Sequence, residues 1–349
     1  MISAFDHPFL SGLVGDEEMA SLLGVGAEIT AMIGFEVALA EVEAENGFIP
    51  AEAAAAIAHA LATFWPDMAR LKAGTARDGV VVPDLVRQMR QAVEEPYSKH
   101  VHSGATSQDV IDTAFVLRAG ACLDLLEQRL AALASAFAHL SGRFGERLLT
   151  GHTRMQPARP IRAADRIESW RAPLLRHIER LETVRRSTGV IQFGGAAGTL
   201  DAFGEKGLTV RAALAARLGL ADAPQWHGQR DRVAELAGWL SLVTGGLGKF
   251  GQDIALTAQA GDEIELSSGG SSSAMPNKQN PVDAEVLVTL ARYNATQLSA
   301  VHHAVIHEQE RSGAAWTLEW MVLKQMMMAA GASTRLASTL INRVEALGR

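Results

Sequence analysis

The sequence has few cysteine, lysine and tyrosine residues. Its single cysteine, Cys122, cannot form an intramolecular disulfide, which excludes a disulfide-stapled scaffold and favours a reducing compartment. Six lysines and a net charge of -7 leave no basic stripe for the phosphates of a nucleic acid. No charge-free apolar run of about 18 residues occurs, and the N-terminus lacks a secretory signal pattern. We therefore expect a soluble cytoplasmic protein with neither a nucleic-acid nor a membrane partner.

What the chain does contain is typical of helices. Hydrophobic residues make up 48% of the sequence and aromatic residues only 5%, so the core must consist mainly of Ala, Leu, Val and Met. Apolar residues recur at three- and four-residue steps, which predicts an all-α fold. We expect an N-terminal helical domain over residues 1–100 and an elongated bundle of about five long helices over 101–349. The predicted helices cover 15–47, a stretch after Pro50, about 82–96, 107–147, 160–187, 229–266, 281–312 and 314–346.

Three non-helical segments interrupt this pattern. They read "HVHSGATSQDVIDTA" (100–114), "GHTRMQPARPIRAADR" (151–166) and "LSSGGSSSAMPNKQNPVDAE" (266–285). Each has a purely structural interpretation, since Ser107 is a suitable N-cap and Asn280-Pro281 is suited to the N-cap and first position of a helix. A flexible linker would explain Gly and Ser in the third segment but not the fixed order around Lys278. Lysine beside hydroxyls and backbone N–H groups is suited to binding anionic oxygen.

The order from Ser272 to Pro281 resembles the signature of the fumarase/aspartase superfamily, whose first two motifs the other segments resemble. Within it, "HSGATSQDVIDT", "MPNKQNPV" and "HEQERSGAAWTLEW" (307–320) are most similar to the 3-carboxy-cis,cis-muconate cycloisomerase branch. The resemblance implies lactonisation of a small tricarboxylate to 4-carboxymuconolactone in protocatechuate degradation. It also implies no cofactor, no metal and a homotetramer whose active sites are shared between subunits. The C-terminal helical domain usual in such relatives is expected to be absent.

By the same resemblance Ser272 is the base of the elimination direction and the proton donor of lactonisation. Lys278 and Asn280 would hold the carboxylate on which charge develops, and His102 would lie in the site or satisfy a backbone group at a helix start. Arg154 replaces the histidine of the lyases, so it would bind a substrate carboxylate or form an ion pair with Glu285. The remaining expected substrate-binding residues are Ser103, Thr106, Ser107, Gln108, Gln156 and Arg311.

Three other functions stay open at the level of sequence. A 3-sulfomuconate cycloisomerase would require the same residues. An adenylosuccinate- or argininosuccinate-type lyase is disfavoured by Arg154 and by the run at 307–320. A non-catalytic helical scaffold is disfavoured because Ser272, Lys278 and Asn280 occur together.

Overall fold

The computed structural model describes residues 3–275 and 278–349, and this part of the chain is mainly helical. The predicted all-α fold is confirmed. Two small antiparallel sheets, each of two strands, accompany the helices. The helices are α1 Ser11–Val14, α2 Glu17–Leu23, α3 Val25–Glu45, α4 Ala51–Leu61, α5 Met68–Asp78, α6 Val82–Ala92, α7 Ser107–Phe144, α8 Ala163–Thr188, α9 Gly207–Arg217, α10 Asp231–Ala260, α11 Val282–Ala304 and α12 Gly313–Asn342. The strands are β1 Leu148–Thr153, β2 Gln156–Arg162, β3 Ile264–Leu266 and β4 Val344–Leu347.

Helices α7, α8, α10, α11 and α12 form the long bundle. Helix α7 places apolar side chains on one face at helical spacing, from Leu123 through Leu130 to Phe137, and all three are buried. Three aromatic residues meet inside the bundle, where the ring centroid of Phe137 lies 6.0 Å from that of Trp170 and 5.0 Å from that of Phe250. Because each ring buries a large apolar area, this cluster adds packing to a core that is otherwise mainly aliphatic.

A second core lies beside the bundle and is built largely from α3, α4 and α6. The stretch Glu17–Glu45 is long and apolar enough to span a membrane by composition alone. Ile29, Phe35 and Leu39 of α3 are buried in the second core, so this apolarity is that of a core helix. Ile191 and Leu214 also enter this core, although both follow residue 100. Residues from both sides of position 100 thus share one core. The domain boundary expected at residue 100 stays a prediction.

Several predicted boundaries are wrong by a few residues. Helix α10 ends at Ala260 and not at 266, because Gly261 adopts a left-handed conformation with φ of 87° and closes the helix. Thr106, not Ser107, is the N-cap of α7, and its capping box includes Asp109. Asn280 is not an N-cap either: Pro281 holds that position and α11 begins at Val282. Helices α5 and α9 and the β1–β2 hairpin were not predicted.

Candidate active site

The three motif segments lie at opposite ends of the bundle. Helix α7 has 38 residues, which correspond to about 57 Å at 1.5 Å per residue. The first segment spans its N-terminus and the second follows its C-terminus. The third segment follows α10 and β3, close to the second, because Glu263 accepts hydrogen bonds from the backbone N–H and hydroxyl of Thr150 at 2.8 and 2.6 Å. One chain thus brings the second and third segments to the same end and keeps the first segment remote.

The end of the bundle that holds the first segment is called the first end, and the other end the second. Asp109 fixes the backbone at the first end. Its side chain is fully buried and accepts hydrogen bonds from the N–H groups of Thr106, Gly194 and Gly195 at 2.9–3.0 Å. Nε2 of His227 lies 3.0 Å from the same carboxylate. One carboxylate therefore ties the start of α7 to the glycine-rich segment at 194–195. Thr106 and Ser107, both expected to bind substrate, occupy the cap and first position of this helix.

His102 and Ser103 lie on the loop just before α7 and face two buried carboxyl groups of α3. Nδ1 of His102 is 2.6 Å from Oε1 of Glu36. Burial lowers the pKa of His102, but the Glu36 carboxylate outweighs this effect and the net pKa is raised. Burial raises the pKa of Glu43 to about 8, while the neighbouring Ser103 hydroxyl opposes the rise and Glu36 adds to it. At neutral pH the loop is thus next to a protonated carboxyl group, that of Glu43, and His102 contacts the second buried acid, Glu36.

Gln108 and Arg311 are joined across the first end. Gln108 is fully buried, and its amide NH₂ donates to Asp112 Oδ2 at 3.1 Å and to the carbonyl of His227 at 3.0 Å. Its Oε1 accepts from Nε of the exposed Arg311 at 2.9 Å. A second guanidinium nitrogen of Arg311 donates to the carbonyl of Ala196 at 3.3 Å. The amide of Gln108 is fully used within the chain, so its geometry is that of a support for Arg311.

A buried charge cluster beneath this end was missed by sequence reasoning. Arg230 makes four hydrogen bonds of 2.6–3.2 Å to the carboxylates of Asp112 and Glu319, and all three side chains are at most 3% exposed. The indole N–H of Trp316 donates to Asp112 at 3.0 Å. These residues come from the starts of α7, α10 and α12. The signal available in sequence was a charged residue facing inward in the first turns of apolar helices.

The second segment forms a hairpin, not the loop that was expected. Strands β1 and β2 pair from Leu148 with Arg162 to Thr153 with Gln156. Arg154 and Met155 form the two-residue turn, each with positive φ (47° and 66°). Arg154 and Gln156 are exposed at the tip. Within a single chain, and among the described residues, Arg154 makes no ion pair with Glu285 or any other acid.

The third segment forms a loop closed at its base by Gly270 and Asn280, which exchange backbone hydrogen bonds of 2.8 Å in both directions. Ser272 is half-buried, and its hydroxyl oxygen accepts from the N–H groups of Ala274 at 3.4 Å and Met275 at 3.2 Å. Lys278 is exposed, and its backbone N–H donates to the carbonyl of Met275 at 3.0 Å. The signature residues Pro276 and Asn277 lie outside the described residues. The loop thus presents Ser272 and Lys278 on one short turn.

Across residues 3–275 and 278–349 no group of three or more His, Cys, Asp or Glu side chains has the geometry of a metal site. The two adjacent histidines, His302 and His303, are both exposed on α11. Cys122 is buried in the bundle core, where burial raises the pKa of its thiol to about 12. A thiol of this kind is unreactive.

Comparison with known proteins agrees with the geometry. A family described as lyase matches residues 18–293. The chain belongs to this lyase family, and the predicted fumarase/aspartase membership is confirmed. The 3-carboxy-cis,cis-muconate cycloisomerase of Pseudomonas aeruginosa is 38% identical over 94% of this chain and 73% of its own length. The enzyme of that name from Pseudomonas putida is 35% identical over 94% of this chain and 79% of its own. The crystal structure of 3-carboxy-cis,cis-muconate lactonizing enzyme from Pseudomonas putida superimposes on this lyase-family chain with a TM-score of 0.91 at 34% identity, covering 97% and 77% of the two chains.

Proposed function

We propose that this protein is a 3-carboxy-cis,cis-muconate cycloisomerase of the cytoplasm. The observation that carries the proposal is the similarity to enzymes of that name, 35–38% identical over 94% of the chain. The signature residues Ser272, Lys278 and Asn280 support it, since each has the chemistry the reaction needs. A small carboxylate substrate is in keeping with the family.

The proposed reaction is an intramolecular addition. A carboxylate oxygen of the substrate forms a bond to a carbon of its own double bond, and the electron pair of that double bond moves to the adjacent carbon, where the neighbouring carboxylate delocalises it. Ser272 then donates a proton to this carbon and completes the lactone. Lys278 and Asn280 stabilise the carboxylate that bears the extra charge. No protein nucleophile or cofactor takes part, because the substrate supplies its own nucleophile.

We propose that the active enzyme is a homotetramer with sites shared between subunits. The support is a distance: the first segment lies about 57 Å along α7 from the second, by helix geometry. A substrate of one small molecule cannot contact His102 and Ser272 of the same chain across that length. Copies packed in antiparallel orientation would bring the first end of one bundle to the second end of another.

An absorbance assay tests the proposed activity. Lactonisation removes the conjugated diene of 3-carboxy-cis,cis-muconate, so ultraviolet absorbance should fall when the enzyme is added. We expect Ser272→Ala to lose about 10²–10⁴-fold in kcat, the usual contribution of a proton-transfer group. Ser273→Ala changes the next hydroxyl of the same loop and should stay near wild type. Faster turnover of the 3-sulfonate analogue by the wild type would contradict the proposed substrate. Activity on adenylosuccinate or argininosuccinate alone would contradict it as well.

Subunit mixing tests the shared site. Ser272→Ala protomers and His102→Ala protomers, each with reduced activity, carry their substitutions at opposite ends of the bundle and should regain activity when they exchange at equal concentrations. If the two segments of a site come from different subunits, about one quarter of the sites in random tetramers hold both wild-type segments. Proven subunit exchange without any recovery would contradict the shared site, and a fully active monomer in sedimentation would contradict the tetramer.

A further inference from the structure

Helix α3 buries two glutamates in an apolar core. Glu36 and Glu43 are seven residues apart, which places them two turns apart on one face of the helix. Their exposures are 2% and 0%, and their neighbours in the second core include Met32, Leu39 and Val42. Burying a carboxyl group in such surroundings is costly unless it has a partner. Packing of α3 alone therefore gives no reason for these two residues.

The partner of Glu36 is His102, at 2.6 Å from Oε1 to Nδ1. An ionised carboxylate can only accept a hydrogen bond, so Nδ1 carries the hydrogen. Nε2 lies on the other side of the ring and is directed away from Glu36. The His102 side chain is 15% exposed while that of Glu36 is fully buried. The imidazole thus connects a buried carboxylate to the surface of the first segment.

The backbone around His102 is also fixed. Its φ of 62° and that of Gly104, 67°, lie in the left-handed region, which is uncommon for residues other than glycine. Arg90 of α6 donates from Nη2 to the carbonyl of Val101 at 2.9 Å and holds the preceding residue. A side chain kept in an unfavourable backbone conformation by its surroundings is typical of a functional site.

We propose that Glu36 is a positioning residue that holds His102 as an imidazolium, whose Nε2–H donates a hydrogen bond to a carboxylate of the substrate. This inference rests on the proposed function, because the anion it assigns to His102 is the muconate. In this arrangement His102 binds and orients the substrate, and Ser272 keeps the proton transfer.

The charges that face His102 favour this state. Glu36 of α3 and Asp109 of α7 stabilise the imidazolium and Arg90 of α6 opposes it, with a net rise in the pKa of His102 in spite of burial. The other acid of α3, Glu43, is protonated at neutral pH because burial raises its pKa to about 8. Glu36, in direct contact with the ring, and Asp109, further away, are therefore the anionic groups that stabilise the charge of His102.

A titration of His102 in the whole assembly tests the pairing directly. The protein is labelled at histidine ¹³Cε1, and the His102 signal is assigned by its loss in His102→Gln. In the wild type we expect a pKa above the ordinary value of about 6.5. In Glu36→Gln it should fall by about 1–3 units, the effect of losing an adjacent opposite charge. Glu43→Gln is the matched control, since it replaces a buried carboxyl of the same helix that is already neutral, and it should leave the His102 titration below pH 7 unchanged.

If Glu36→Gln does not fold, the titration of His102 in the wild type still tests the pairing. A wild-type pKa at or below about 6.5 would overturn it, and so would an unchanged His102 titration in a folded Glu36→Gln.

Kinetics connect the pairing to the substrate. As pH rises through the pKa of His102, the imidazolium is lost and KM for 3-carboxy-cis,cis-muconate should rise. In Glu36→Gln this rise should begin about 1–3 pH units lower. An equal loss of kcat at every pH, with KM unchanged, would indicate a merely structural role and contradict the inference. Wild-type protein that shows the coupled titration without lactonisation would contradict the proposed function alone, and the pairing of Glu36 with His102 would stand.

Discussion

Replacement of Arg230 by methionine should destabilise the fold far more than an ordinary loss of an ion pair. Arg230 is 2% exposed and forms four hydrogen bonds to Asp112 and Glu319, which are themselves at most 3% exposed. Its guanidinium also lies 4.7 Å from the ring centroid of Trp226. Arg230→Met leaves two buried carboxylates without their counter-charge. Breaking one side of a buried pair costs about 3–5 kcal/mol, and we expect at least this loss in the free energy of unfolding.

The chain offers a matched control in Arg185. It also bridges two acids, Asp124 at 2.6 Å and Glu127 at 2.8 Å, but the three side chains are 31%, 71% and 47% exposed. Water screens these charges, so Arg185→Met should cost less than about 1 kcal/mol. Urea unfolding of both variants at equal protomer concentration measures the difference. Losses that agree within about 1 kcal/mol would refute the reasoning from burial.

Three further predictions concern titration and substrate binding. The raised pKa of Glu43, about 8, means that its protonated form stabilises the fold below its ordinary pKa and that this contribution is lost as pH rises to about 8. Glu43→Gln should therefore remove a slope of about 1.4 kcal/mol per pH unit between pH 5 and 8 in urea unfolding, and a slope equal to wild type would contradict this. Burial lowers the pKa of His177 to about 4, so the neutral side chain stabilises the fold above its ordinary pKa and this contribution is lost as pH falls towards 4. His177→Gln should therefore reduce the fall in the free energy of unfolding between about pH 6.5 and pH 4. An unchanged fall would show that His177 does not titrate in this range. Arg154→His should lower kcat/KM for 3-carboxy-cis,cis-muconate about ten- to a hundred-fold, and less for cis,cis-muconate, whereas an unchanged value would indicate that Arg154 does not contact substrate.

The long helices were predictable because their buried apolar residues recur at the three- and four-residue spacing of an α-helix. Helix α7 repeats apolar residues over more than ten turns, which no strand or loop would do. Helix α5 was missed because it buries only Leu71 and Gly74, and two residues define no period. The β1–β2 hairpin was missed for a similar reason, since its strands are mostly exposed and β2 carries two prolines. Its turn uses Arg154 and Met155 where a glycine or asparagine would have been the usual sign.

The candidate site was predictable only in part, because a sequence motif identifies residue types and does not show which side chains contact one another. Nothing in sequence links Asp112 to Arg230 and Glu319, which are more than eighty residues apart in each case. The use of Gln108 as a support for Arg311 depends on the same packing. Glu36 gave a signal that could have been used, since an acid within an otherwise apolar core helix is unusual.

The surroundings of each cation decide which of them can attract the proposed trianionic substrate to a protein of net charge -7. Arg230 cannot, because two carboxylates neutralise it within the core. Arg311 differs: its partners are the neutral amide of Gln108 and the carbonyl of Ala196, which fix the guanidinium without cancelling its charge. Arg154 makes no ion pair among the described residues of its own chain and is exposed at the hairpin tip. Positive charge is therefore available at both ends of the bundle, from Arg311 at the first end and from Arg154 and Lys278 at the second. A site assembled from opposite ends of different copies would place these cations around one substrate.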